Sequence, residues 1–299
     1  MTTLGGPTMG TSWSVRCAIP PGWDIAALQT AIEARLDELV GQLSHWDSSS
    51  ALCRFNTAAP GTIVALPHDL AAVIRLSLRV AYASGGAFDP AIGRLVDEWG
   101  FGPPGPRPAP DAARVHEALT ESGWRQLKWD DARACLRQPG GLALDLSGIA
   151  KGYAVDAIAD LLALHGIDNC LVEIGGELVG RGLKPDGDPW WVDLEQPPSL
   201  DAPWLRLALH RCAVATSGDY RRGEHTIDPR NGYPVTNGVT SVSVISTSAA
   251  LADALATAIT VAYPDDSLIN TLGVAARIVV RKRGMVNELL TPTLLEMLE

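Results

Sequence analysis

Apolar residues recur along this chain at two periods, and the switch from one to the other marks out its elements. TSWSVRCAI alternates apolar and polar positions and predicts a first strand. DIAALQTAIEARLDELVGQLSHW changes to the helical period. It puts Leu28, Ile32, Leu36, Leu39 and Leu43 on one face, with Asp24 placed to cap the N-terminus. HDLAAVIRLSLRVAYASGG repeats the helical pattern and stops at Gly85-Gly86. FGPPGPRPAPD is too rich in Pro and Gly for either element. A helical pattern, AARVHEALTESG, follows it, so the loop predicts a surface excursion within one fold.

In the second half, GGLALDLSGIAKGYAVDAIADLLALHG predicts a short strand from Leu142 to Leu146, a break at Ser147-Gly148, and a long helix. NCLVEIGGELVGRG predicts a strand interrupted at Gly175-Gly176 by a bulge or by close approach of a ligand. WWVDLEQP, WLRLALHRCAVATSG, TSVSVIS and VAARIVVRKRG add strands. ALADALATAI, from Ala250 to Ile259, is an Ala-rich helix. Strands and helices mix without a regular βαβ rhythm. The expectation is therefore an α+β fold with mixed sheets and packed helices, formed as a single domain over residues 1–299.

Composition narrows the function classes. The chain has 299 residues, 46% hydrophobic and 19% charged, with a formal net charge of -10. That is the balance of an ordinary globular protein. The acidic excess argues against a nucleic-acid partner, which needs clustered Lys and Arg. A locally positive pocket for an anionic ligand remains compatible with it. No apolar run approaches the roughly 20 residues of a membrane span. The start, MTTLGGPTMGTSWSV, has neither a basic region nor an apolar core of a signal peptide, which predicts a cytoplasmic location for the chain as given. Five scattered cysteines, with no C-x-x-C, fit free thiols rather than a disulfide framework or a zinc ribbon.

Four segments are dense in chemistry. In the Ala-rich helix, Asp253 and Thr257 are four residues apart and so share a face. They read either as a solvent face or as two oxygen ligands on adjacent turns, a set that suits Mg2+. Lys151 follows Asp145 near a helix N-terminus, where the helix dipole disfavours a cation. It reads either as a solvated lysine or as a phosphate partner. Walker A and dinucleotide-binding glycine patterns are absent. ATSGDYRRGEHTIDPRNGYPV packs Tyr220, Arg221, Arg222, His225 and Asp228 between Gly and Pro turns, as loop-borne sites do. His225 reads either as a structural histidine or as an acid/base group. GGAFDPAIGRLVDEWGFG is a structural turn or a loop offering backbone and a ring to a flat ligand.

Taken together and in order, MGTSWSV, LSHWDSSSALCRFN, GGAFDPAIGRLVDEWGFG, LDLSGIAKGYAVD, VEIGGELVGRG, VATSGDYRR, HTIDPRNGYPV and SVSVISTSAALADALATA resemble the ApbE family, the Mg2+-dependent FAD:protein FMN transferases. The resemblance implies a single α+β domain of tunnelling-fold (T-fold-like) architecture. It implies a cleft for FAD as substrate, with Mg2+ at the pyrophosphate. The FMN moiety would pass to a Thr or Ser hydroxyl of an acceptor flavoprotein, with AMP leaving. Carried onto this chain, Met9 and Trp46 would contact the flavin or adenine. Ala87, Phe88 and Asp89 would line the pocket, and Asp145 and Lys151 would bind FAD. Gly148 would give a carbonyl, and Asp253 and Thr257 side-chain oxygens, to the metal. His225 would be the base, with Thr226, Ile227 and Asp228 shaping the pocket beside it. The same residues would serve an FAD pyrophosphatase; a non-catalytic FAD-binding protein would need no base. Family members are often exported, so a removed leader would imply a periplasmic or cell-surface location.

Overall fold

The computed structural model describes residues 1–19, 22–197, 204–219, 223, 225–282 and 284–298. The chain enters as a hairpin of β1 (Thr2–Thr8) and β2 (Thr11–Cys17), turned by Met9 and Gly10 at φ of 47° and 71°. Two-residue hairpin turns need this positive φ to match the twist of the strands. Helix α1 (Ile25–Leu43) follows. The Asp24 carboxylate accepts from the Ala27 N–H, and the five buried positions are the five predicted. After α2 (Ala51–Asn56) come β3 (Ile63–Ala65), α3 (His68–Ala83), α4 (Gly93–Glu98) and α5 (Ala112–Thr120). Next are β4 (Lys128–Asp130), β5 (Cys135–Arg137), α6 (Ala150–Leu164), β6 (Cys170–Ile174) and β7 (Glu177–Arg181). They are followed by β8 (Trp190–Asp193), β9 (Arg206–Leu209), β10 (Cys212–Gly218), β11 (Val239–Ser246) and α7 (Ala249–Ala262). The last elements are α8 (Ser267–Leu272), β12 (Ala275–Lys282), β13 (Met285–Leu290) and α9 (Pro292–Leu298).

Eight strands make one sheet in the order β1-β2-β6-β7-β10-β11-β12-β13, with every neighbouring pair antiparallel. Period-two alternation gives it two buried faces. Val242 and Val244 of β11 join the large core under α1, α6 and α7, whereas Ile245 joins a second core on the other face. The β8–β9 hairpin supplies Trp190, Val192, Leu207 and Leu209 to that second core, and α9 supplies Leu294. The architecture is α+β, as expected.

Several expected elements come out differently. The apolar run Leu142 to Leu146 is buried but is not a strand. Its polar groups pair with a side chain and loops instead. Leu144 exchanges both backbone bonds with the Asn56 amide, Asp145 N–H donates to the Pro90 carbonyl, and the Ala143 carbonyl accepts from Gly93 N–H. NCLVEIGGELVGRG is two strands rather than one bulged strand, because Gly175 and Gly176, at φ of 64° and 107°, close a two-residue hairpin. WLRLALHRCAVATSG also divides: Arg211 at φ 59° ends one strand, so β9 pairs with β8 and β10 with β7 and β11. The first strand is β1, and β13 and α9 also lay outside the predicted pattern. β1 has a single buried apolar position, the apolar residues of β13 fall in adjacent pairs instead of alternating, and α9 spans only seven residues, so none of the three shows a clear period.

Candidate active site

The floor of the main cleft is built where α6 crosses α7. Ser248 caps α7, and the Asp156 carboxylate of α6 reinforces that end by accepting from Ser248 Oγ and from the N–H groups of Ala249 and Ala250. These are the orphan donors of a helix N-terminus. Gly152 lets the helices approach: a Cβ there would lie 2.3 Å from the Ala249 carbonyl oxygen. At that spacing the Gly152 N–H donates to Asp253 Oδ2 at 3.1 Å. One turn on, Thr257 Oγ1 lies 3.3 Å from Ser217 Oγ of β10. A Cβ on Gly148 would meet Thr257 Oγ1 at 2.9 Å, so this backbone sits directly against the hydroxyl. Asp253, Thr257 and Gly148 thus line one cleft. The small alanines of α7 permit this packing.

Lys151, in the first turn of α6, lines the same cleft and forms an ion pair with Glu177 Oε1. The buried carboxylate explains why a cation is tolerated at that end of the helix. Burial, and then the charge of Asp253, push the Glu177 carboxyl upward, against the pull of the Lys151 ammonium. Burial also raises Asp253, opposed by Lys151 and by the Gly152 N–H. Glu177 opens β7 directly after the Gly175-Gly176 turn, and both glycines line the cleft.

The remaining wall is a mixture of rings and carboxyls. Met9, at the strained tip of the first hairpin, reaches it together with Ala87, Phe88 and Asp89. Asp89 accepts from the N–H groups of Ala91 and Trp124 at 2.8 and 2.9 Å, and burial still pushes its carboxyl up to about 6. Asp145 accepts from the N–H and hydroxyl of Ser147 and lies 3.9 Å from His45 Nε2. Trp46 stands at the rim, 62% exposed and tilted against the His45 ring. The space enclosed is about 300 Å3.

His225 enters the cleft from the loop after β10. Its Nδ1 is 2.8 Å from the Gly223 carbonyl oxygen. That oxygen can only accept, so the neutral ring carries its hydrogen on Nδ1 and presents Nε2 as the proton acceptor. Thr226 and Ile227 line the cleft beside it. Asp228 does not. Its carboxylate is turned to the Arg230 guanidinium, with two bonds of 2.8 Å, and to the Arg230 N–H. It shapes the loop rather than the pocket surface. Trp99 Nε1 donates to the Gly232 carbonyl at 2.8 Å and anchors the same turn. Tyr220, Arg221 and Arg222 lie outside the described residues.

Of the sequence-predicted residues, all but Asp228 line this cleft, which also takes in His45, Glu177 and Ser217. Ser217 sat in a segment read as a strand ending in a turn, and was given no role of its own. His45 and Glu177 had no local signature. Among the described residues no cluster of three or more His, Cys, Asp or Glu could hold a metal ion, and no helix is long and apolar enough to cross a membrane. All five cysteines are free thiols.

Residues 9–278 match the sequence profile of the ApbE family. The chain is 38% identical over 272 residues to the FAD:protein FMN transferase of Vibrio cholerae, covering 86% of this chain and 80% of that protein. Over 296 residues it is 34% identical to the FAD:protein FMN transferase of Klebsiella pneumoniae, covering 94% and 85%. Among solved structures, the Vibrio cholerae flavin transferase ApbE superposes with a TM-score of 0.91 at 33% identity, over 99% and 98% of the two chains. The apo form of Pseudomonas stutzeri flavinyl transferase ApbE gives a TM-score of 0.92 at 35% identity, over 99% and 96%. The profile match spans most of the chain and the relatives and structures cover nearly all of it, so the chain belongs to the ApbE family.

Proposed function

We propose that this protein transfers the FMN moiety of FAD to a Thr or Ser hydroxyl of an acceptor flavoprotein, forming a phosphoester and releasing AMP, with Mg2+ held by Asp253, Thr257 and the Gly148 carbonyl. One observation carries the reading: the oxygen donors of α7, Lys151 and the open Nε2 side of His225 share a single cleft. Family membership and the names of the relatives, FAD:protein FMN transferases, support the reaction type. For the metal, the donors are a buried carboxylate, a hydroxyl and a backbone segment packed so closely that a Cβ would fill it. That all-oxygen set, with no His or Cys cluster among the described residues, fits a hard cation that keeps water and phosphate as its other ligands. When bound, Mg2+ would neutralise the pyrophosphate and favour departure of AMP.

The chain's own residues do the rest. Phosphoryl transfer asks for positioning and charge more than covalent help. Lys151 would add positive charge beside the pyrophosphate. His225 Nε2 would take the proton of the acceptor hydroxyl as its oxygen bonds to the FMN phosphorus and the bond to AMP breaks. Phe88, Met9 and Trp46 would offer apolar surface to the rings of FAD.

The test is incubation with FAD, Mg2+ and a flavoprotein domain carrying an exposed Thr. AMP release matched by an FMN mass adduct on the acceptor is the expected result. An unmodified acceptor refutes the reading, and AMP release that is equally fast without acceptor assigns the chain as a pyrophosphatase instead. His225→Ala is expected to bind FAD normally and to lose transfer; normal transfer by this variant would remove His225 from the role of base.

A further inference from the structure

The reaction as described leaves one buried charge in the cleft without a task. The Glu177 side chain is only 3% exposed, yet it lines the cleft. Its Oε1 accepts from the Lys151 ammonium, while Oε2 has no hydrogen-bond partner among the described residues. A buried carboxylate that is half satisfied is destabilising, and structure alone gives no reason to keep it. Lys151 poses the complementary problem. Its ammonium sits on a flexible four-carbon stem, in the first turn of α6, where the helix dipole opposes it. The stem runs over the β6–β7 turn: a Cβ on Gly175 would lie 3.5 Å from Lys151 Cδ. The turn therefore guides the stem, and the first residue after the turn, Glu177, receives the charge.

We propose that Glu177 is the positioning residue for Lys151, holding its ammonium at the cleft floor where it meets the phosphates of the dinucleotide. This rests on reading the cleft as the FAD site. An ammonium carries three donors, so the bond to Glu177 and a phosphate contact are compatible. Rotamers of Lys151 that point into solvent lose the carboxylate and are disfavoured. Binding then does not have to order a free lysine, and that saving appears as affinity.

The test is a double-mutant cycle on the full chain with Glu177→Gln, Lys151→Met and the two combined, with Glu177→Asp as the conservative variant. ADP and FAD binding at fixed Mg2+ is read by titration calorimetry, alongside transfer kinetics and thermal melting. Glu177→Gln and Lys151→Met are each expected to weaken ADP binding by about tenfold, and the double variant no more than Lys151→Met alone. In transfer, KM should rise more than kcat falls, and Glu177→Asp should recover part of the loss. Lys151→Met leaves Glu177 buried without its partner and should lower the melting temperature. The double variant removes both charges and should regain the melting temperature without regaining affinity. Unchanged ADP binding in Glu177→Gln, additive losses in the double variant, or affinity that returns together with the melting temperature would overturn the proposal. The proposed reaction fails separately: wild-type protein that never modifies an acceptor defeats that reading, while the ADP cycle still reports whether Glu177 acts through Lys151.

Discussion

Replacing Gly152 by Ala isolates the contact that sets the site. In an ordinary helix the change would be favourable by about 1 kcal/mol, since Ala is the better helix former. Here the new methyl would lie 2.3 Å from the Ala249 carbonyl oxygen, 2.6 Å from its carbon and 2.8 Å from Ala250 Cα. All three are backbone atoms of α7, so no side chain can swing aside. Ordinary Cβ contacts begin at 3.4 Å, and the helices must therefore part by about 1 Å. Overpacking of this kind destabilises by about 1–3 kcal/mol, which outweighs the helix-propensity gain. The separation also carries Asp253 away from the Gly152 N–H and moves its oxygens relative to Gly148 and Lys151. A shift of about 1 Å at a reacting centre lowers the rate by about 100-fold. Urea unfolding and the Mg2+ dependence of AMP release measure the two effects. Gly41→Ala is the control: it lies inside α1, a Cβ there meets nothing within 4 Å, and the gain of up to about 1 kcal/mol should appear in full. If Gly152→Ala proves as stable as Gly41→Ala and keeps the wild-type Mg2+ requirement, the α6–α7 spacing does not set the site.

Three further outcomes follow from the same geometry. Asp253→Asn removes a buried charge whose carboxyl is already raised by burial, so the metal-free protein should hold or gain stability while Mg2+ affinity falls by more than about 100-fold, the upper end of losses seen for outer partners of a metal site; calorimetric titration with Mg2+ checks it, and unchanged affinity refutes the ligand role. Asp89 stands at about 6 in the folded protein against an ordinary 3.8, so between these values the folded state holds the extra proton and stability falls as pH rises, by about 3 kcal/mol in all. Urea midpoints at pH 4 and pH 6.5 should show this fall in the wild type and a smaller one in Asp89→Asn; equal falls would contradict it. Met9→Gly relieves a left-handed φ worth about 1 kcal/mol, so its melting temperature should not fall below wild type while FAD binding weakens; FAD titration showing wild-type affinity would remove Met9 from the binding surface.

How far the site was legible in the chain depended on whether its signal was local. The face of α1 was readable because a helix repeats its period over many turns, and the five predicted leucine and isoleucine positions are the buried ones. Asp253 and Thr257 were readable as a pair because they share one helix. Leu142 to Leu146 misled because buried strands and buried coil have the same apolar composition. The distant partners, the Asn56 amide for Leu144 and the Pro90 and Gly93 backbone for its neighbours, decide between them. Glu177 was invisible for a related reason. A carboxylate within a strand reads as solvent-facing until α6, from earlier in the chain, lays Lys151 across it. Asp228, which the resemblance placed beside the pocket, is turned away from the cleft because Arg230, two residues on, holds its carboxylate.

The two halves of the site are not independent, because one helix places both. The N-terminal part of α7 carries Asp253, and its middle carries Thr257. The C-terminal end leaves carbonyls without helical partners, as every helix does. Here those carbonyls are taken by the loop that bears the histidine. Asn237 donates to the carbonyls of Thr260 and Tyr263 at 2.9 and 3.0 Å, and the Arg230 guanidinium donates to that of Val261 at 3.2 Å while gripping Asp228. A guanidinium at that end also complements the helix dipole. The loop's other anchor, Trp99 to Gly232, comes from the end of α4, outside α7. Displacing α7 along its axis would draw Asn237 and Arg230 after Asp253 and Thr257, while Trp99 holds the Gly232 turn back. Tilting it, as a methyl at Gly152 would, moves the oxygen donors and the histidine apart. Shape and chemistry are coupled through the angle of α7, which is set at one end by Asp156 and Gly152 and at the other by Asn237 and Arg230.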